Sequence, residues 1–141
     1  MSIVFTVGVF DLFHYGHKEL FRRAKECADN GAGVSKLIVA VQDGDSILKY
    51  KPDAKIVYTT RERVEMVEQC RYVDQVVLYA DVDKIVREID FDIFILGGDQ
   101  THAGFQKAEQ YCLEHGRKII RLPRTKGVSA TVLRERLKGL E

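Results

Sequence analysis

The chain alternates between short, continuously apolar runs and longer stretches in which apolar positions recur with a helical period. The apolar runs predict five β-strands, at Ile3–Val7, Lys36–Val41, Gln75–Tyr79, Asp92–Leu96 and Lys118–Leu122. The amphipathic stretches predict helices at His17–Asn30, Thr60–Cys70, Val82–Glu88, Ala103–His115 and Ser129–Leu140. Strands that are apolar on both sides and alternate with helices are typical of a parallel sheet covered on both faces.

The order of elements therefore predicts a doubly wound α/β fold with five parallel strands, in one domain over residues 1–141. Helix boundaries agree with this interpretation. Thr59 or Thr60 is expected to cap the second helix and Ser129 the last. Glycine at Asn30-Gly31 and at His115-Gly116 is expected to end the first and fourth helices.

The segment Asp43–Tyr58 shows no clear period and contains Gly44 and Pro52, so the sequence predicts a long loop there. It follows the second strand and starts at the carboxyl edge of the sheet. Ligands of open α/β sheets bind at that edge.

Composition excludes several classes of protein. Lys and Arg number 22 against 21 Asp and Glu, and this balance argues against a general nucleic-acid binder. The apolar runs are too short to span a membrane, and the start of the chain predicts a core strand in place of a signal peptide. The cysteines form no C-x-x-C pair, which favours buried thiols in a reducing, cytoplasmic compartment (Cys27, Cys70 and Cys112).

The first candidate site lies between the first strand and the first helix, in the stretch Gly8–His17. His14 and His17 flank Gly16 where the helix begins, and backbone N–H groups at a helix start favour phosphate. A zinc pair is the alternative, but no third ligand follows at a suitable spacing. A satisfied packing pair of histidines is the other alternative, and anion contact is preferred over both.

Three further segments follow strands or open helices. Lys49-Tyr50-Lys51 can close on a polyphosphate, although loop lysines are normally only solvated. Arg61-Glu62-Arg63 opens the second helix and is equally well explained as solvated charge. The stretch from Arg124 to Thr131 offers a guanidinium and hydroxyls at the start of the last helix, and Asp99 ends the fourth strand.

Three known motifs are missing. The sequence contains neither a Walker A loop nor a G-x-G-x-x-G dinucleotide loop. A nucleophile elbow with a Ser–His–Asp arrangement is also absent. Kinase or ATPase activity of the Walker type is therefore disfavoured.

At these residues the sequence resembles the cytidylyltransferase family of the HxGH nucleotidyltransferases, which have a Rossmann-like fold. The resemblance covers residues 3 to 138 and is strongest with the members that act on glycerol 3-phosphate. It rests on the stretches Gly8–Asp11, His14–His17, Arg71–Asp74 and Leu122–Ser129. The R-T-x-G-[IV]-S stretch is fairly specific to the cytidylyl branch, whereas H-x-G-H indicates only the superfamily.

The resemblance implies transfer of CMP from CTP to a phosphorylated alcohol, with release of pyrophosphate and no covalent enzyme intermediate. His14, His17, Lys49 and Arg124 would be catalytic. The acceptor would be bound by Lys49, Lys51 and Arg63. The nucleotide would be bound by Gly8, Val9, Phe10, Asp11, His14, His17, Asp99, Arg124, Thr125, Ser129 and Thr131.

The resemblance also implies a homodimer formed near residues 71–77. No carboxylate cluster that could hold Mg²⁺ is apparent, and Asp11 alone is too little, so Mg²⁺ is expected to arrive bound to CTP.

Three departures from the family pattern keep alternatives open. Ala130 stands where the family usually has Thr, Val9 replaces a polar residue, and Gly31–Ser35 is an insertion. An adenylyltransferase acting on FMN or a sugar phosphate is the first alternative. A nucleotide-binding module without turnover is the second, although groups aimed at transition-state charge argue against a pure binder.

Overall fold

The structure, a computed structural model, describes residues 2–28 and 35–140. Five strands form one parallel sheet in the order β3-β2-β1-β4-β5. They are β1 (Ser2–Gly8), β2 (Ser35–Gln42), β3 (Gln75–Tyr79), β4 (Ile93–Gly97) and β5 (Lys118–Leu122). The predicted fold class and all five strands are confirmed, with ends that shift by at most one residue.

Six helices connect or follow these strands in the described part of the chain. They are α1 (Tyr15–Ala28), α2 (Gly44–Tyr50), α3 (Thr60–Glu68), α4 (Val82–Glu88), α5 (Ala103–Glu114) and α6 (Ala130–Lys138). The predicted end of the first helix at Asn30-Gly31 lies outside the described residues, as does most of the insertion Gly31–Ser35.

The predicted caps of α3 and α6 are confirmed, whereas α1 begins two residues before the predicted start and α3 and α6 end two residues before the predicted ends. Thr59 caps α3 through a reciprocal capping box with Glu62, and Ser129 caps α6 by accepting from the backbone N–H of Val132. Gly116, which follows the C-cap residue His115 of α5, has a φ of 69°, the left-handed conformation expected at that position.

The prediction of a loop over Asp43–Tyr58 is wrong in its first half, because α2 occupies Gly44–Tyr50. Asp43 caps this helix with its carboxylate, and only Ile47 is buried. A seven-residue helix with one buried position leaves too little periodicity to recognise in the sequence.

The sheet separates two apolar clusters. One packs α1 and α3 against one face, with Phe21 and Val67 fully buried. The other packs α4 and α5 against the opposite face, around Val86 and Phe105. The doubly wound arrangement is confirmed.

The strand order has a consequence for ligand binding. The chain runs outward from β1 to β3 and then crosses back to β4, on the other side of β1. A crevice is therefore expected between the carboxyl ends of β1 and β4, where the order reverses.

Candidate active site

A cavity of about 650 Å³ lies at that carboxyl edge. It is bordered by the ends of β1 and β4, the starts of α1 and α6, and the segment that follows α2. The structure brings to it most of the residues that the sequence predicted, namely Gly8, Val9, Phe10, Asp11, His14, His17, Lys51, Asp99, Arg124, Thr125, Ser129 and Thr131.

Two glycines make the turn between β1 and α1 possible. A Cβ atom on Gly8 would lie 2.8 Å from the Phe10 ring, and one on Gly16 would lie 2.9 Å from Cε1 of His14. These separations are shorter than van der Waals contact. Glycine at both positions therefore allows an aromatic ring and an imidazole to fold back onto the turn.

His14 and His17 lie face to face, with ring centroids 3.7 Å apart. Nδ1 of His14 accepts from the backbone N–H of Gly16 at 3.0 Å, and Nδ1 of His17 accepts from the N–H of His14 at 3.3 Å. A neutral imidazole with an accepting Nδ1 carries its proton on Nε2. The pair therefore offers two Nε2–H donors to a ligand.

The surroundings keep both rings uncharged at neutral pH. Burial, followed by the neighbouring His14, lowers the pKa of His17 to about 3, although the carboxylate of Asp11 acts in the opposite direction. Burial, followed by the charge of Arg124, lowers the pKa of His14. An anion bound here would favour the protonated rings, so the pair is suited to stabilising negative charge.

His17, in the first turn of α1, packs against two aromatic rings. Its ring meets Phe10 edge-on at 5.3 Å and Phe13 at 5.6 Å between centroids. This imidazole therefore contributes to packing as well as to the wall of the cavity.

The opposite wall of the cavity carries the basic and hydroxyl groups of residues 124–131. Arg124 forms an ion pair with Asp99, and both side chains are more than half exposed. The guanidinium of Arg23, on α1, donates to the carbonyl of Pro123 at 3.3 Å and so ties this segment to α1. A bound nucleotide would have to share or replace the pair of Arg124 and Asp99.

Two predicted site residues do not line the cavity. Arg63 is completely buried, and its guanidinium donates to the carbonyls of Val9 and Gln42 at 3.0 and 2.7 Å. The side chain of Arg63 therefore does not reach the cavity, contrary to the expected contact with acceptor or nucleotide, and supports the turn after β1 from beneath. Lys49 is exposed on α2, with its ammonium 5.8 Å from the Tyr50 ring centroid, and Lys51 reaches the cavity instead.

The structure adds several cavity residues that sequence reasoning missed. They include Arg23, Lys55, Gln100, His102 and Arg134. Arg134 follows Thr131 by three residues, and that spacing places both on one face of a helix, so the sequence held a signal for it. His102 shows no such pattern and is brought in by the turn after β4.

Within residues 2–28 and 35–140, no group of three or more His, Cys, Asp or Glu side chains is placed to hold a metal ion. Asp11, the carboxylate expected to come nearest, accepts from the backbone N–H groups of Val57 and Tyr58 at 2.7 and 2.9 Å. Its lone pairs are therefore already engaged by protein donors. Over the same ranges of the chain, no helix combines the length and the apolar character needed to cross a membrane.

A parallel α/β sheet, a crevice where the strand order reverses, and imidazole, guanidinium and hydroxyl donors around it define a nucleotide- or phosphate-binding protein. The model of the cytidylyltransferase-like family matches residues 5–136. The chain therefore belongs to the cytidylyltransferase-like family, and the resemblance noted from the sequence is confirmed.

Named relatives extend this finding. The chain is 36% identical to a glycerol-3-phosphate cytidylyltransferase of Staphylococcus aureus, over 99% of this chain and 97% of that protein. It is 32% identical to a protein of the same name from Bacillus subtilis, over 99% of this chain and all of that protein. A lipopolysaccharide core biosynthesis protein from Thermoplasma volcanium shares the fold, with a TM-score of 0.67 at 23% identity over 89% of this chain and 98% of that one.

Proposed function

We propose that the protein transfers CMP from CTP to a phosphorylated alcohol, with glycerol 3-phosphate as the first candidate acceptor. Membership of the family and the names of the full-length relatives support this activity. The observation that carries it is the stacked pair of neutral imidazoles, which presents Nε2–H donors in a cavity that also holds Arg124.

In the proposed reaction, an oxygen of the acceptor phosphate attacks the α-phosphorus of CTP in line. The bond from the α-phosphorus to the bridging oxygen breaks, and pyrophosphate leaves with that electron pair. The products are a CDP-alcohol and pyrophosphate, and no enzyme group is modified. Such a transfer needs positioned reactants and stabilisation of charge on phosphate oxygens.

The walls of the cavity divide these tasks. His14 and His17 donate to the oxygens on which charge develops. Arg124, Thr125, Ser129 and Thr131 bind the β- and γ-phosphates at the start of α6, and Asp99 accepts from the ribose hydroxyls. Lys51 holds the acceptor phosphate, with Lys49 further out on α2.

Mg²⁺ is proposed to enter with the triphosphate. The engaged carboxylate of Asp11 does not fit a protein-built cage for this ion. Mg²⁺ commonly keeps several waters and relies on substrate phosphates for its remaining ligands. It would supply neutralisation of phosphate charge.

A pyrophosphate-release assay tests the proposal. CTP and ATP are each supplied with glycerol 3-phosphate, other phosphorylated alcohols and FMN. We expect release with CTP and an alditol phosphate, and loss of it in His14→Ala but not in His115→Ala, whose imidazole is exposed beyond α5. Release only with ATP would support the adenylyltransferase alternative, and no release from any pair would support a binding module.

We also propose a two-fold homodimer. Edge strand β3 exposes Leu78, and α3 exposes Met66 next to a groove lined by Phe13, Cys70 and Tyr72. A second copy covering this surface would bury these side chains. Light scattering is expected to give about twice 16.1 kDa, and a mass of 16.1 kDa at micromolar concentration would contradict the dimer.

The cytoplasm is the proposed compartment. Three cysteines are free in this structure (Cys27, Cys70 and Cys112), as expected where thiols stay reduced. Fractionation of the cells that produce the protein would test this location.

A further inference from the structure

Asp11 lies in a turn whose backbone is unfavourable. Its two neighbours both adopt left-handed conformations, with φ of 55° at Phe10 and 48° at Leu12. Residues with side chains adopt this region at a cost, and they remain there when their surroundings over-determine the conformation. Some feature of the structure must therefore hold the turn that leads to His14.

The carboxylate of Asp11 supplies that restraint. It is buried, and it accepts from the backbone N–H of Leu12 at 3.1 Å within the turn. It also accepts from Val57 and Tyr58, at 2.7 and 2.9 Å, in the segment between α2 and α3. One side chain thus joins two loops that border the cavity.

Arg134 adds a third segment to this junction. Its guanidinium lies 3.3 Å from Oδ2 of Asp11 and donates to the carbonyl of Lys55 at 2.9 Å. Its Nε–H is buried and finds no hydrogen-bond acceptor among the residues that the structure describes. The side chain therefore reaches inward from α6 and is held through one terminal nitrogen, Nη2, which donates to both partners.

The attachment of α6 gives this contact its importance. No residue of α6 is buried, so the helix has no apolar anchor of the kind that fixes α1. Val132 and Leu133 are only half-buried, and Leu137 is exposed to 59%. Polar contacts therefore contribute to where α6 lies relative to the cavity.

We propose that Arg134 is a positioning residue, which latches α6 to the Asp11 turn and to the Lys55–Tyr58 segment. This proposal rests on the proposed function for its kinetic consequence. The latch keeps Ser129 and Thr131 facing the His14 and His17 pair, so that the cavity is preformed for the triphosphate. Without it, α6 samples positions in which the phosphate-binding residues are apart from the imidazoles.

The test compares Arg134→Gln with Arg136→Gln, a matched change at an exposed residue in the last turn of α6. Native-state hydrogen exchange is measured at the amides of Val57 and Tyr58, with the amides of β4 as an internal reference. We expect about tenfold faster exchange at both amides in Arg134→Gln alone, because local opening exposes them. Equal exchange in the two variants would overturn the latch.

Kinetics provide the second readout. When only a fraction of the protein molecules has the cavity preformed for CTP, the apparent affinity falls in proportion to that fraction. Arg134→Gln should therefore raise KM for CTP about tenfold, with kcat within about threefold of wild type, and Arg134→Lys should recover part of the loss. A fall in kcat at unchanged KM would overturn the positioning role, because it would indicate contact with the reacting phosphates.

A double-mutant cycle with Asp11→Asn tests the pairing itself. The acceleration of exchange caused by Arg134→Gln should be smaller in the Asp11→Asn background than in wild type, since each change removes the contact between these two side chains. Full additivity would contradict the latch. If β4 also loses protection in Arg134→Gln, the comparison is made with Arg134→Lys, and exchange equal to wild type at Lys55–Tyr58 in that variant supports the latch.

The exchange experiment separates the two proposals. Faster exchange in Arg134→Gln, with no CTP turnover by the wild-type protein, would leave the latch intact and remove the proposed function. Normal turnover with unchanged exchange would do the reverse.

Discussion

The two helices that flank the cavity are attached to the protein in different ways. On α1, Phe21 and Ala24 are fully buried under the sheet, so the start of this helix is fixed by core packing. On α6 no residue is buried, and the helix is held by the Ser129 cap and by the hydrogen bonds of Arg134 in its second turn. The imidazole wall is therefore rigid, whereas the wall that carries the phosphate-binding hydroxyls depends on a few polar contacts.

The largest expected effect falls on the rigid wall. His17→Ala should lower turnover at least about 100-fold, the loss typical for one donor to a developing oxyanion. Because His17 packs against Phe10 and Phe13, thermal denaturation should also show a lower melting temperature. Turnover near the wild-type value in a folded variant would exclude His17 from the reaction.

A change in the wall that carries the phosphate-binding residues should alter nucleotide affinity. Arg124→Ala should weaken CTP binding by about tenfold to a hundredfold, the range for a hydrogen bond to a charged group. CMP lacks the β- and γ-phosphates, so its affinity should change much less. Calorimetric titration of both nucleotides measures this difference. Equal losses for CTP and CMP would show that Arg124 does not bind the polyphosphate.

Acidification should lower the free energy of unfolding through His17, which belongs to the rigid imidazole wall. His17 has a folded-state pKa of about 3 and an unfolded value near 6.5, so only the unfolded chain takes up this proton between those values. The stabilisation is complete above pH 6.5 and is lost as the pH falls toward 3. Between pH 7 and pH 5, His17 alone should lower the free energy of unfolding by about 2 kcal/mol.

Urea denaturation at the two pH values measures this loss. In His17→Asn the difference in the free energy of unfolding between pH 7 and pH 5 should shrink by that amount. An unchanged pH dependence in His17→Asn would mean that burial does not depress the pKa of this imidazole.

The smallest effect compares two helix caps. Thr59→Ala removes the capping box of α3, a helix that buries Val67, and should cost about 1 kcal/mol of stability with unchanged CTP affinity. Ser129→Ala removes the cap of α6 and should weaken CTP binding as well. Denaturation and titration of both variants measure the contrast. A change in CTP affinity in Thr59→Ala would show that α3 also influences the nucleotide.

The sheet could be predicted from the sequence because its strands are continuously apolar and lie between amphipathic helices. The histidine pair and the Arg124–Thr131 stretch could be predicted because their spacing coincides with strand ends and helix starts. The helix α2 could not, since one buried residue, Ile47, gives no period.

The roles of Arg63, Asp11 and Arg134 also exceed what a sequence shows. The sequence does not show whether an arginine side chain is buried or solvated. Only the fold reveals that Arg63 donates to backbone carbonyls beneath the turn. Asp11 was predicted at the nucleotide, but its partners Val57 and Tyr58 are more than forty residues away in the chain. Contacts over such separations leave no local pattern.

The hydrogen bonds accepted by Nδ1 of the two imidazoles influence which titrating group sets the pH dependence of the rate below neutral pH. Burial lowers the pKa of both rings, that of His17 to about 3, so protonation of His17 does not limit the rate in mildly acidic solution. A phosphate monoester takes up its second proton near pH 6. The decline of kcat/KM on acidification should therefore follow the titration of the acceptor phosphate, and it should shift when an acceptor with a different phosphate pKa is supplied.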